Sequence, residues 1–588
     1  MPPESDGPLM DQKRLFIAIA ISIAILLGFQ LLLPKPPPVQ QAALQATQTT
    51  PTDAAPRPTG DVATPGTQPM AVPPPRDVPR LKISAPRVQG SISLLGARLD
   101  DLVLRDYREQ VEADSPLVRL LEPRADPQPY YVQFGWTADA ADVKVPDLDA
   151  MWTASAPELT AATPVMLSWD NGAGQVFEIA LSVDANYLFT AEQRVRNTGA
   201  AAVSVHPWSR IRRDYTPKTA GYYILHEGLL GVLGGRLQEQ TYDKAKSESN
   251  KSHGASLDMT TTGGWAGITD KYWLTALIPD QAVPVVATFR HLTENNSDRY
   301  QADFLSKDPL VVGPGATGNS TTRLFAGAKE VQLLDHYQSD LALPNFDKAV
   351  DFGWFYFLTK PIFYALDWLY KLTGNFGVAI LIFTVFAKAV FFPLANKSYK
   401  SMSKMKLLGP KMQEIRERLK EDPAKMQGEI MGLYKSEKVN PASGCLPMIV
   451  QIPVFFSLYK VIFVTIEMRH APFFGWIHDL SAVDPTNVFN LFGLLPFDPS
   501  AYSHLLHLGV WPLIMGVTMF LQQKLNPPPP DPVQARLFQF MPIIFTFMLA
   551  SFPAGLVIYW SWNNLLTIAQ QWMIMRQTRL ATPQMVRS

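Results

Sequence analysis

The apolar run 376–395 contains a lysine, and this combination constrains the fold of the chain more than any other feature. The run is long enough to cross a bilayer of about 30 Å at about 1.5 Å per residue. An ionisable side chain such as Lys388 costs roughly 2.5 to 3.5 kcal/mol at the centre of a membrane helix and therefore indicates a functional site. Thr384 lies one helical turn earlier on the same face. The alternative is that Lys388 snorkels along its aliphatic stem to the nearby polar end.

Composition indicates a membrane protein with a large soluble insert. Of the 588 residues, 47% are hydrophobic and 18% are charged, and the long apolar runs lie mostly after residue 350. The formal net charge is +0, so no bulk field favours nucleic acid or an acidic partner. The single cysteine, Cys445, excludes an intramolecular disulfide and any multi-cysteine metal site. No cofactor and no metal are predicted.

The amino-terminal segment predicts a membrane anchor followed by an extended tether. Lys13 and Arg14 precede the apolar run 15–33, and no small-residue cleavage site follows that run. The basic pair predicts that residues 1–14 are cytoplasmic and that the chain after the anchor lies outside. Residues 34–80 are rich in proline, alanine, threonine and glutamine, a composition that cannot bury a core.

Residues 81–343 have the pattern of an all-β sandwich, with short alternating runs separated by turns rich in glycine and asparagine. Within this segment, His226 and Glu227 are sequence neighbours and would point to opposite faces of a strand, so they do not indicate an acid–base pair. Surface or structural roles are predicted for this pair and for three arginines of the same segment. These arginines are Arg210, Arg212 and Arg213.

Two further segments flank the lysine-bearing run. Residues 344–374 are crowded with aromatic side chains but interrupted by charges, which favours an amphipathic helix lying in the membrane interface. Residues 396–441 form the densest basic cluster, which predicts a cytoplasmic location. Asp422 as N-cap and Pro423 at the first helical position predict the second helix of a helical hairpin there. The hairpin is interpreted as a docking arm, and a solvated connector is the alternative.

The apolar segments together predict six membrane-spanning helices with both termini in the cytoplasm. The predicted spans are 15–33, 375–395, 442–467, 508–523, 537–552 and 553–574. The predicted connections after the hairpin are the outer loop 468–507, the inner loop 524–536 and the cytoplasmic tail 575–588. The spans 508–523 and 537–552 are too short to cross a hydrocarbon core of about 30 Å, which favours a locally thinned bilayer.

The final span carries a polar stripe. Tyr559, Asn563, Thr567 and Gln570 follow one another at helical spacing and share one face. Polar side chains in a span face a bundle interior or water. Interhelical hydrogen bonding, worth about 0.6 kcal/mol per contact, is the alternative. Together with Lys388, the stripe favours a wet cavity between the spans.

Motifs along the chain resemble those of the YidC-type membrane protein insertases, the bacterial relatives of the mitochondrial and thylakoid insertases. The matching stretches are 169–172, 221–228, 411–419, 433–444, 445–453, 476–481, 515–520 and 552–571. The resemblance implies a large periplasmic β domain, a mutarotase-like supersandwich, and a helical core with a hydrophilic groove open to the cytoplasm. The family usually has arginine where Lys388 stands, and lysine keeps the charge but loses the forked donor geometry. The extended loop 487–508 is a second departure, and its role is not implied.

The resemblance implies a protein that is not an enzyme and that inserts and helps fold membrane proteins in the bacterial inner membrane. The implied partners are nascent membrane proteins, the lipid bilayer, the Sec translocon, and the ribosome or the signal recognition pathway at the hairpin. The hairpin residues expected to bind the ribosome or the signal recognition pathway are Lys411, Arg416, Arg418 and Lys420. The expected groove residues are Lys388, Thr384, Gln451, Tyr559, Trp560, Asn563 and Thr567.

Three other classes of protein are alternatives. A secondary transporter with a buried lysine in its substrate site should show an internal repeat, and the sequence shows none. A membrane hydrolase needs a nucleophile with a base or a metal cluster, and the predicted spans carry no convincing set. The spans could also serve only as an anchor for the β domain.

Overall fold

A computed structural model gives the fold of the chain. It describes residues 78–581 except 141, 220–224, 253, 295–296, 438, 440–445, 498, 500–501, 503–506 and 527–531. Every described residue belongs to one compact unit of the chain. The predictions for residues 1–14, the anchor 15–33, the linker as far as residue 77 and the tail from residue 582 lie outside the described residues.

The amino-terminal part of the described chain is a β domain, as the alternating pattern predicts. Its strands are β1 (Arg80–Ser84), β2 (Val88–Ser93), β3 (Arg98–Arg108), β4 (Leu117–Leu121), β5 (Tyr130–Ala138), β6 (Thr153–Ala154), β7 (Glu158–Leu159), β8 (Val165–Asp170), β9 (Gln175–Val183), β10 (Leu188–Asn197), β11 (Val203–Arg213), β12 (Gly228–Leu233), β13 (Arg236–Thr241), β14 (Ala255–Thr262), β15 (Trp265–Thr269), β16 (Trp273–Pro279), β17 (Pro284–Glu294), β18 (Ser297–Ser306), β19 (Leu310–Val312) and β20 (Thr317–Ala328). Helix α1 (Tyr242–Lys251) interrupts them and helix α2 (Val331–Asp340) follows them.

The strands form two sheets that pack face to face. One sheet has eleven strands in the order β14-β17-β18-β11-β5-β3-β2-β1-β7, with β19 on β11 and β4 on β3. The other has nine, in the order β13-β12-β15-β16-β20-β10-β9-β8-β6. Buried and half-buried residues alternate along β9, and the ring of Phe177 on that strand lies 5.1 Å from the ring of Trp136 on β5 of the other sheet. The prediction of a large all-β sandwich is confirmed.

The polar residues singled out in this domain have structural contacts. The three arginines on β11 are at most 2% exposed, so they do not form a surface patch. The Arg213 guanidinium donates two hydrogen bonds of 2.7 Å to the carboxylate of Asp270. His226 Nε2 lies 2.9 Å from the carbonyl oxygen of Leu229, and Glu227 accepts a hydrogen bond from the backbone N–H of Lys271. These contacts favour the structural interpretation of all five residues.

The rest of the described chain is helical. Its helices are α3 (Tyr356–Thr373), α4 (Phe376–Val390), α5 (Phe392–Leu407), α6 (Gly409–Arg418), α7 (Pro423–Ser436), α8 (Leu446–Val464), α9 (Val510–Leu525), α10 (Pro532–Leu549) and α11 (Ala554–Ala581). Short 3₁₀ helices cover Phe346–Ala349, Ile466–Met468 and Val488–Gly493.

The lysine-bearing run is not one straight helix. Helices α4 and α5 meet at Phe391 with a bend of 67°. Pro393 explains the break, because proline has no N–H to donate and disfavours the helical conformation in the residue before it. Among the described helices, none alone has the length and hydropathy of a membrane span; the bent pair meets those two criteria when its halves are taken together. The count of six spans stays a prediction.

Other helices follow the predicted segments with shifted ends. Helix α7 begins as expected, because the Asp422 carboxylate accepts a hydrogen bond of 3.0 Å from the backbone N–H of Lys425. Helix α10 begins at Pro532, within the predicted inner loop, and α11 continues to Ala581, beyond its predicted end. Helix α3 has a buried face and an exposed aromatic face that includes Trp368, as an interfacial helix requires.

The β domain contacts the helical part at the end of α8. The Lys271 ammonium, between β15 and β16, lies 3.8 Å from the centre of the Phe463 ring on α8. Beyond that helix, the Arg469 guanidinium donates hydrogen bonds to the backbone carbonyls of Arg108 and Glu109 in the β domain. This end of α8 and the segment that follows it therefore lie against the β domain.

Candidate functional site

A cavity of about 470 Å³ lies among helices α4, α5, α8, α9, α10 and α11. The predicted groove residues in its lining are Lys388, Gln451, Tyr559, Trp560, Asn563 and Thr567. The lining combines amide, hydroxyl and ammonium groups from α4, α8 and α11 with apolar side chains from α10, among them Phe538 and Phe545. A concave, mostly apolar site with a few convergent polar groups is typical of a binding site.

Lys388 lies in the last turn of α4, and its ammonium contacts α11. Asn375 caps the start of α4, because its side-chain oxygen accepts the backbone N–H of Val378 at 3.1 Å, and the helix ends shortly after the lysine, at Val390. The Lys388 ammonium donates a hydrogen bond of 2.9 Å to the hydroxyl oxygen of Thr567 on α11. The charge is therefore held across the cavity by another helix, which disfavours the simple snorkelling interpretation.

The described lining of the cavity has a cation and no carboxylate. Within the described part of the chain, the residues that line it include no aspartate and no glutamate. The charge of Lys388 is thus not compensated by a carboxylate in the described lining. A cleft with one sign of charge and low-dielectric walls attracts groups of the opposite sign.

The polar stripe of α11 faces this cavity. Tyr559, Asn563, Thr567 and Gln570 all line it, and the Gln451 amide of α8 donates a hydrogen bond to the Tyr559 hydroxyl. The Asn563 Oδ1 and Gln570 Nε2 atoms are buried and have no hydrogen-bond partner among the described residues. Leaving such groups unpaired costs about 1 to 3 kcal/mol each, so they favour a site that admits water or a polar chain.

Thr384 does not share the site. It is 2% exposed and is not among the described residues that line the cavity. Its hydroxyl donates a hydrogen bond of 2.7 Å to the backbone carbonyl of Ile380 in its own helix. The helical spacing places Thr384 on the face of Lys388, but one turn deeper, where the helices are packed together.

Sequence reasoning missed several polar lining residues. They are Tyr399, Gln522, Gln523, Asn526, Asn564 and Gln571. The amides of α9 lie at the end of a predicted span, where a polar residue usually marks only the membrane boundary. Three of the missed residues also join α11 to α9 or to its end. The Gln571 amide donates to the side-chain oxygen of Asn526, just after α9, at 3.1 Å, and the Asn564 amide donates to Thr518 Oγ1 at 3.2 Å.

The hairpin presents fewer free cations than its sequence suggests. Lys411 forms an ion pair of 3.1 Å with Glu437, and Arg418 forms one with Glu429. Lys420 is exposed, and no ion pair involves it within the described residues. Of the four basic residues expected to dock a partner, two are therefore already paired across the hairpin.

Comparison with known proteins places these features in a family. The model of the YidC periplasmic domain matches residues 80–365, and that of the 60Kd inner membrane protein matches residues 368–581. Membrane protein insertase YidC of Granulibacter bethesdensis is 62% identical over 582 residues, which cover 98% of this chain and 100% of that protein. The protein of the same name from Acidiphilium cryptum is 56% identical over 512 residues, 86% of this chain and 85% of that protein.

Solved structures give weaker likenesses. An active YidC insertase with its first transmembrane domain resolved is 18% identical, covers 84% of this chain and 92% of its own, and has a TM-score of 0.35. A galactose mutarotase-like protein from Lactobacillus casei is 9% identical, covers 42% of this chain and 99% of its own, and has a TM-score of 0.28.

The assignment rests on the two family models and the relatives, which together cover nearly all of the chain and confirm the resemblance seen in its motifs. They give no support to the transporter alternative. The chain belongs to the YidC family of inner-membrane protein insertases, with a periplasmic β domain followed by the helical region that contains the cavity.

Proposed function

We propose that this chain inserts membrane proteins by admitting the polar flank of an incoming segment into the cavity beside Lys388. The observation that carries the proposal is a cation hydrogen-bonded to Thr567 in a cavity whose described lining holds no carboxylate. An acidic flank would supply the missing negative charge. The unpaired polar atoms of Asn563 and Gln570 would then replace the hydrogen bonds that the flank loses on leaving water.

The apolar part of the substrate takes a different path. The cavity is walled on one side by apolar residues of α10, such as Phe545, so a hydrophobic segment can slide along this wall into lipid. Burial of the segment drives the transfer, at about 25 cal/mol per Å² of apolar area removed from water. The proposal needs no covalent step and no nucleotide. Lysine acts here as a point charge, which attracts a carboxylate without the bidentate geometry of arginine.

We propose a six-span topology with both termini in the cytoplasm. The basic cluster of residues 396–441 supports a cytoplasmic hairpin. The contacts of Arg469 with the β domain support a periplasmic location for the segment after α8. The hairpin then faces the ribosome or the signal recognition pathway, and Lys420 is one of its exposed cations. The Sec translocon is a proposed partner of the helical core.

Photo-crosslinking tests the groove as the route. A crosslinking amino acid replaces Asn563, which lines the cavity, or Leu565, which is on the same helix, is 43% exposed and is not in the described lining. The full chain is reconstituted in vesicles of phosphatidylethanolamine and phosphatidylglycerol and receives a ribosome-bound nascent chain. The account expects adducts to the polar flank of the substrate at Asn563 and only background at Leu565. Efficient insertion with no adduct at Asn563 contradicts it.

Ribosome binding tests the docking arm. The variant Lys420→Glu should weaken the binding of ribosome–nascent chain complexes to the same vesicles, and the loss should shrink at high salt. Lys307→Glu, at an exposed position of the β domain, is the matched control. Equal binding by both variants at low salt contradicts a role for Lys420.

A further inference from the structure

The segment 488–497, between α8 and α9, carries a continuous set of exposed apolar side chains. Its sequence, VFNLFGLLPF, contains one polar side chain, that of Asn490. The exposed fraction of its large apolar side chains ranges from 39% to 81%, and these residues are Phe489, Leu491, Phe492, Leu494, Leu495 and Phe497. We call residues 488–497 the apolar loop. Contiguous exposed apolar patches mark contacts with another protein or with a membrane.

The backbone of the apolar loop directs its hydrogen-bonding groups inward. The Phe492 N–H donates to the carbonyl of Asn487 at 2.9 Å, and the Leu495 N–H donates to the carbonyl of Asn490 at 3.0 Å. The Asn490 side-chain oxygen accepts the N–H of Gly493 at 2.9 Å. A loop in water can leave such groups to the solvent, whereas a loop in contact with hydrocarbon must satisfy them internally.

Two bulky residues at the tip adopt a conformation that favours glycine. Leu491 has φ of +52° and Phe492 has φ of +60°, both in the left-handed region. Large side chains rarely occupy this region, and strain of this kind persists where the surroundings over-determine it, often at functional sites. Here the internal hydrogen bonds stabilise the strained turn, and the side chains of Leu491 and Phe492 are exposed at its tip.

The base of the apolar loop is fixed to the helix that follows. The Val488 N–H donates to the carbonyl of Leu508 at 2.9 Å, which closes the loop immediately before α9. The buried carboxylate of Asp484 accepts the backbone N–H of Trp511 in the first turn of α9 at 2.9 Å. Since Arg469 and the segment after it contact the periplasmic domain, the loop leaves from the periplasmic end of α9.

We propose that the apolar loop inserts its side chains into the periplasmic leaflet of the bilayer and anchors the outer end of α9 there. A protein interface of ordinary composition carries about one hydrogen bond per 100 to 200 Å². The polar side chain of this loop, Asn490, is used internally, because it also donates to the carbonyl of Phe497 at 3.4 Å. Residues 470–506 contain no lysine or arginine, so no cation has to enter the leaflet. The inference rests on membrane residence of the helical core and is independent of the groove mechanism.

Spin-label accessibility in the full chain tests the proposal. Cys445 is replaced by alanine, and a nitroxide is attached to Leu494→Cys or, as an independent site, to Phe489→Cys. The protein is reconstituted in vesicles of phosphatidylcholine and phosphatidylglycerol in equal parts. Collisions with oxygen, which partitions into hydrocarbon, are compared with collisions with a water-soluble nickel chelate. Leu494 is 81% exposed, so its replacement leaves the packing of the loop intact.

Val311→Cys provides the matched control. Val311 is 65% exposed and pairs with Ser204 near the start of β11. The other end of β11, at Arg213, lies about 30 Å away at about 3.3 Å per residue. Arg213 donates a hydrogen bond to Asp270, and the neighbouring Lys271 contacts Phe463 on α8. The control label therefore reports an apolar site far from the membrane.

The proposal predicts an oxygen-to-nickel collision ratio at least several-fold higher at Leu494 and Phe489 than at Val311. A ratio at both loop sites equal to that at Val311 overturns it, because the loop would then be in water. Protection of both loop sites from both reagents also overturns it, because a second protein copy or another chain would then cover the loop.

Discussion

The Lys388 ammonium donates a hydrogen bond of 2.9 Å to the Thr567 hydroxyl, 179 positions later in the chain. The same hydroxyl donates its own proton to the backbone carbonyl of Asn563, 2.7 Å away. The two hydrogen bonds are therefore consecutive: Thr567 donates its proton to Asn563, and its oxygen accepts a hydrogen bond from Lys388. The position of the charge in the cavity therefore depends on one hydroxyl group of α11.

Removal of that hydroxyl should misplace the charge without removing it. Thr567→Val keeps the shape of the side chain and deletes the acceptor, and a hydrogen bond to a charged group contributes about 1.5 to 3 kcal/mol. We expect the initial rate of insertion of an acid-flanked substrate into vesicles to fall about tenfold. Thr384→Val is the control, because its hydroxyl bonds only the carbonyl of Ile380 in the described contacts and lies outside the cavity lining. Equal rates for the two variants would contradict the positioning role.

The start of α9 should be sensitive to a residue of the preceding loop. Asp484 is 1% exposed, and its carboxylate accepts the backbone N–H of Trp511 at 2.9 Å and the indole N–H of Trp476 at 3.1 Å. Asp484→Ala removes a helix cap and leaves buried donors unpaired, which costs about 1 to 3 kcal/mol. The expected result is a thermal midpoint several degrees lower in detergent. Asp308→Ala, at an exposed position, should leave it unchanged, and equal midpoints for both variants would refute the capping role.

The β domain should become more stable as the pH rises above about 8, because of one buried lysine. The Lys329 ammonium is buried and donates to Thr269 Oγ1 at 2.9 Å, and burial lowers the pKa of Lys329 to about 8. In the unfolded chain a lysine has a pKa of about 10.4. Between these two values the unfolded state binds more protons, so the free energy of unfolding rises with pH.

The variant Lys329→Met should lose this increment. We expect the wild-type free energy of unfolding, followed by tryptophan fluorescence in denaturant, to rise by about 1 to 3 kcal/mol more than that of the variant between about pH 8 and pH 10. The pKa of Lys271 is also lowered to about 8 by burial, and this lysine is present in both proteins, so its contribution cancels in the difference. Parallel pH profiles for the two proteins would show that Lys329 is not the source.

Much of the site could be predicted because helical periodicity fixes which residues share a face. Tyr559, Asn563 and Thr567 are spaced for one face of a helix, and all three line the cavity. The start of α7 could also be predicted, since Asp422 is followed by Pro423, and the structure shows the Asp422 carboxylate capping the helix. In each case a local rule, independent of the rest of the fold, determined the outcome.

The other features of the site depend on how deeply a residue is packed and on contacts between helices, and helical periodicity predicts neither. Thr384 shares a face with Lys388 but lies one turn deeper, where α4 is packed, so the shared face gave the wrong expectation of its contacts. Pro393 itself indicates a break in the helix, but the continuous apolar run around it favoured the prediction of one straight span. The amide of Gln571 bonds the side chain of Asn526, the residue that follows α9, and no spacing in the sequence predicts that contact.

A double charge reversal tests whether the charge of Lys388 attracts the acidic flank of a substrate. In vesicles with purified protein, insertion of an acid-flanked substrate is compared for wild type and Lys388→Glu, and then repeated with the acidic residues of the flank replaced by lysine. We expect Lys388→Glu to lower insertion of the acidic substrate by tenfold or more, since reversal replaces an attraction by a repulsion of about 1 kcal/mol or more. We also expect the lysine flank to restore insertion by the variant. Equal insertion of both substrates by both proteins would contradict the account.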